Sequence, residues 1–84
     1  MTLFEVLATI SEVQKDIDIQ LNQVKDFKSR NSNNISRIQE ELKGTLSNHD
    51  INMIKDLTEA GKILEKAESA LQQAADNVSK VSRV

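Results

Sequence analysis

The sequence predicts an all-α protein, an antiparallel two-helix hairpin that completes a four-helix bundle by dimerising or by binding a partner. Three observations carry this. Apolar residues recur at helical spacing along nearly the whole chain, proline is absent, and a glycine at the midpoint is followed at once by a helix-start signature. The 84 residues form one domain, with a helix expected over about 2–43, a turn over 44–47 and a second helix over about 48–82.

Thr2 with Glu5 three residues later reads as a capping box that starts the first helix at the N-terminus. Leu3, Ile10, Ile17 and Val24 then repeat on one heptad column, with Val6, Val13 and Phe27 on a second and Leu7, Leu21 and Ile35 beside them. Extending the column from Val24 by sevens reaches Asn31 and then Ile38. The phase therefore survives the polar stretch Ser29–Asn34, whose Ser and Asn residues have poor helix propensity. A loop would have no reason to keep register, so one continuous helix is expected.

Leu42-Lys43-Gly44 ends that helix, with Gly44 placed to adopt the left-handed backbone that closes a helix C-terminus. Ser47 and Asp50 form a second capping box, flanked by Leu46 and Ile51 as a hydrophobic staple. So short a connection forces the helices to lie antiparallel. The second helix carries a regular series, Leu57, Ala60, Leu64, Ala67, Leu71, Ala74 and Val78, ending in Val81. Alternating large and small residues lets a facing helix approach closely. With the turn near residue 45, Ile10 should face Val81, Ile17 Ala74, Val24 Ala67 and Ile38 Met53. Asn31 should then fall opposite Ala60, beside Gly61. This mid-length layer is expected to be the weakest of the hairpin, and the last residues, Ser82 to Val84, are expected to fray.

Composition excludes several classes of function. Without Cys and with one His there is no basis for a disulfide scaffold, a thiolate metal site or an imidazole cluster, so no metal and no cofactor are expected. Eleven basic against thirteen acidic residues leave a net charge of −2, which is no electrostatic footprint for nucleic acid. No apolar run approaches the roughly 18 residues that cross a bilayer. Ser47, His49 and Asp50 sit too close together on one helix start to converge as a catalytic triad. Paired carboxylates such as Asp16 and Asp18 lack a cleft, and Lys25, Lys28, Arg30 and Arg37 read as a solvated face interrupted by Asp26. No enzymatic activity is expected.

Phe4, Leu7 and Leu21 on the first helix, with Ile54 and Ile63 on the second, widen the apolar stripes beyond what one facing helix covers. A helical protein partner is therefore expected, as a homodimer or as a hetero-complex.

The hairpin length, the midpoint Leu42-Lys43-Gly44 and the run from Leu57 through Ala75 resemble the WXG/ESAT-like small proteins of bacterial type VII secretion. Gly44 matches the glycine of the family's Trp-x-Gly turn, and Leu42 stands where the family has Trp. The family's Tyr-x-x-x-Asp/Glu export signal has no counterpart in a chain without Tyr. The resemblance is thus to the divergent Trp-less relatives that accompany LXG-type toxins. It implies a small secreted factor, or a targeting factor or adaptor that binds the N-terminal helical domain of a toxin. It also implies a cytoplasmic location before export, with secretion needing no cleavable signal peptide. The alternative class is a structural helical-hairpin subunit or chaperone, such as a type III needle-like subunit or a cytosolic coiled-coil scaffold.

Overall fold

A computed structural model describes residues 2–44 and 47–82. It is an all-α hairpin of α1 (Leu3–Glu41) and α2 (Asn48–Ser82) packed against each other. A helix of 39 residues rises about 58 Å, and the molecule is a rod of 64 × 17 × 15 Å. Its radius of gyration is 19.0 Å, against about 12 Å for a compact domain of this length.

Both helix starts are capped by side chains. Thr2 Oγ1 accepts from the Glu5 N–H at 3.1 Å. At α2 the box is reciprocal: Ser47 Oγ accepts from the Asp50 N–H at 3.3 Å, while the Asp50 carboxylate accepts from the Ser47 N–H at 2.9 Å and from its hydroxyl at 2.8 Å. The helix stays unbroken through Ser29–Asn34. At the other end, α1 stops at Glu41 instead of running to Lys43, with Leu42 as its C-cap and the Leu42 N–H donating to the Ile38 carbonyl at 3.0 Å. Gly44 lies beyond the cap at φ 82°, a backbone that costs an L side chain about 1–2 kcal/mol. Leu46, the expected staple residue, and the terminal Arg83 and Val84 fall outside the described residues.

The seam between the helices is made of four columns. On α1 these are Ile10, Ile17, Val24, Asn31 and Ile38, with Gln14, Leu21, Lys28, Ile35 and Leu42; on α2 they are Leu57, Leu64, Leu71 and Val78, with Ile54, Gly61, Glu68 and Ala75. All are partly buried except Leu21, which is buried. The expected level of Ile10 with Val81 is seen, since both line one groove.

Two residues expected to await a partner therefore belong to the seam. Leu21 is 7% exposed, the one buried side chain among the described residues, and Ile54 is partly buried. Their columns contain Gln14, Lys28, Gly61 and Glu68, so a search for apolar residues alone does not recognise them as seam positions. Ala60, Ala67 and Ala74, read from sequence as seam, instead flank it, partly buried along one side. Phe4, 81% exposed, and its neighbours Leu3 and Leu7 lie beyond the level of the described end of α2.

Two outcomes follow from the turn. Gly44→Ala should lower stability by about 1–2 kcal/mol in a thermal melt followed by circular dichroism, because nothing crowds the site and only the positive φ opposes a side chain. Asp50 is held below its ordinary value of 3.8, first by the Ser47 backbone N–H, then by the Ser47 hydroxyl and the nearby His49. A depressed folded value means the box stabilises fully above the ordinary value and loses that contribution as pH falls through the lower one. Wild type should lose melting temperature over that acid range, and Asp50→Asn should flatten the loss.

Candidate functional site

The middle of the seam is polar, and its groups are matched across the helices. Lys28 Nζ lies 3.2 Å from Glu68 Oε1, and both side chains are partly exposed. Such a pair contributes about 0.5–1 kcal/mol and depends on salt. One turn further along α1, Asn31 Nδ2 donates to the Leu57 carbonyl at 2.9 Å. That amide occupies the space a side chain at 61 would fill: a Cβ built on Gly61 would meet Asn31 Nδ2 at 3.2 Å. Asn31 thus falls beside Gly61 as its heptad phase predicts. The layer is satisfied, since no buried side-chain nitrogen or oxygen among the described residues lacks a partner. Sequence reasoning missed Lys28 as a seam residue by grouping it with the surface cations. Its position three residues before Asn31 and one heptad after Leu21 was the available signal.

Beside the seam the two faces of the hairpin differ. On one face the flanking residues are Val13, Gln20, Phe27 and Asn34 of α1, and Met53, Ala60, Ala67, Ala74 and Val81 of α2. Three open grooves fix this arrangement. Val13 and Val81 line one of about 260 Å³, Phe27 and Asn34 border one of about 310 Å³ with Leu64, and Asn34, Arg37 and Glu41 border one of about 400 Å³ with Leu57. Ile63, a turn from both Ala60 and Ala67, extends the same face. Phe27 is 52% exposed and Ile63 65% exposed, large for residues of their type in a compact chain. The opposite face carries Ser11, Asp18, Lys25, Ser32 and Gln39 of α1 and Thr58, Glu65, Gln72 and Ser79 of α2, with Lys62 and Asp76 beyond them; the same two columns also hold Phe4 and Ile51, exposed at opposite ends of the rod. Along the middle of the rod only one face is therefore chemically suited to burial.

Of the five residues expected to meet a partner, the structure places Ile63 on this face. Phe4 and Leu7 lie beyond the level of the described end of α2, and Leu21 and Ile54 are in the seam. The residues that sequence reasoning left out are Val13, Phe27, Met53 and Val81, all exposed. Their signal was a column shared by both helices, visible only once the seam is known. His49 is exposed in the first turn of α2, and among the described residues no group of His, Asp and Glu is arranged to hold a metal. No helix of the described residues is long and apolar enough to cross a membrane. Comparison with protein-family models, with curated proteins and with solved structures finds no match to this chain.

The polar layer makes a coupled pair of substitutions measurable. In a helix interior Gly→Ala gains about 1 kcal/mol, but at Gly61 the new methyl group must displace the bonded Asn31 amide. Gly61→Ala should therefore stabilise the Asn31→Ala variant by about 1 kcal/mol and the wild type by clearly less. A denaturant-unfolding cycle on the four proteins reads the difference as a coupling of about 0.5 kcal/mol or more.

Proposed function

We propose that this protein is a non-enzymatic helical interaction protein whose apolar face is covered by a second helical chain to complete a bundle. The observation that carries the reading is the surface it leaves uncovered. The hairpin exposes 6582 Å², whereas a compact protein of 9.4 kDa exposes about 5,000 Å². The one leucine buried among the described residues is too small a core to order two helices of 39 and 35 residues. Covering the face adds the missing burial at about 25 cal/mol per Å² of apolar area.

The finer reading rests on the resemblance of Leu42-Lys43-Gly44 and the Leu57–Ala75 run to the Trp-less small proteins of type VII secretion. On it the chain acts as a small secreted factor, or as a targeting factor that readies an LXG-type toxin for export. Helix packing would then do the recognition, and the chain needs no pocket for a small molecule.

Complementation tests both levels. In a strain lacking the gene, export of the cognate toxin should fall. Wild type and Lys62→Glu, on the polar face, should restore it, while Ala67→Glu, on the apolar face, should not. Restoration by Ala67→Glu at wild-type level would sink the docking-face reading. Unchanged toxin export on deletion would sink the secretion role and leave a scaffold subunit in its place.

A further inference from the structure

We infer that the chain covering the apolar face is a second copy of this protein, related by a two-fold axis along the rod, so that α1 of each copy lies on α2 of the other. The inference rests on the reading that the face docks a helical chain, and it names that chain.

Area is the first argument. The surplus surface is roughly 1,600 Å² per chain by the size scaling of compact proteins, within the 1,000–2,500 Å² or so per subunit that obligate homodimers bury. A second copy brings the same surplus on the same face, so one isologous contact removes both. A compact partner would cover this chain without needing cover itself.

Complementarity along the face is the second argument. An axis along the rod keeps each residue at its own level and exchanges the helices across the interface. Val13 and Val81 share a level, as do Phe27 and Leu64, and Arg37 and Leu57. Val13 of one copy then meets Val81 of the other, and Phe27, the largest exposed side chain of the face, meets the alanines around Ala67. Arg37 borders the face beyond Asn34, and Asp56 borders it beside Leu57. Neither forms an ion pair among the described residues, and in the dimer each faces the other across the interface. One turn nearer the hairpin bend, Glu41 comes level with His49 of the second copy. An axis across the rod would instead stack α1 on α1, setting Phe27 near Gln20 and leaving Arg37 without an opposite charge.

Light scattering on the purified full chain, coupled to size exclusion, tests this. Wild type should elute at twice 9.4 kDa at micromolar concentration, with Lys62→Glu unchanged. Ala67→Glu should raise the dimer dissociation constant by about 100-fold or more, since it buries two like charges without partners. Arg37→Asp and Asp56→Arg should each weaken the dimer by about 10-fold, and the double variant should recover most of the loss. Recovery also reports the axis, because only exchange of the helices brings 37 to 56. A dimer indifferent to Ala67→Glu, or single charge variants that the double does not rescue, would overturn the proposed contact. A wild-type monomer overturns it as well, and its circular dichroism separates the two readings. Partial helicity leaves the need for a different covering chain standing, whereas full helicity with cooperative melting removes that need too.

Discussion

The hydrogen bond from the Asn31 amide to the Leu57 carbonyl sets the register in which the two helices meet. A polar side chain within an otherwise apolar seam tolerates only the alignment that satisfies it. Here the satisfied alignment also favours a glycine at 61, because a Cβ there would meet the same amide at 3.2 Å and push it aside by a few tenths of an ångström. Sliding one helix along the other would strand the Asn31 amide and separate Lys28 from Glu68. A leucine or isoleucine at 31 would bury more apolar area and would hold several registers almost equally well. The Asn-rich stretch thus trades some stability for alignment, and it does so within a continuous helix.

Register in turn decides which residues share a face. With Asn31 beside Gly61, the column of Phe27 and Val13 falls on the same side as the alanines of α2, and Lys25, Glu65 and Gln72 fall on the other. Along its middle a hairpin so aligned is apolar on one side and polar on the other, although each helix alone carries apolar residues more widely around its circumference. The rod shape follows from the same economy. Two helices in one layer leave their outer surfaces open, and among the described residues only Leu21 is buried. On the proposed reading, stability and recognition would draw on this one surface.

Much of the architecture was legible in the residues. The capping boxes at Thr2 and Ser47, the positive-φ Gly44 and the preserved phase through Asn31 all depend on interactions within a few positions of the chain, and local physics writes local signals. The apolar face was less legible. Leu21 and Ile54 were expected outside the seam because their columns run through Gln14, Lys28, Gly61 and Glu68, which an apolar pattern skips. Lys28 looked like any surface cation, since its partner Glu68 lies forty residues away. Ile63 was recognised as unpaired, but Val13, Phe27, Met53 and Val81 were not assembled with it.

By itself the sequence determined the helices, their antiparallel order and the level at which residues meet, because periodicity, capping and a short turn constrain each of these within one element or across one connection. The tertiary structure decided which columns close on each other and which side of the rod is left apolar. That choice depends on how polar and small side chains are matched across the gap: an amine with a carboxylate, an amide with a carbonyl and the space over a glycine. No single-helix pattern contains the other half of those pairs.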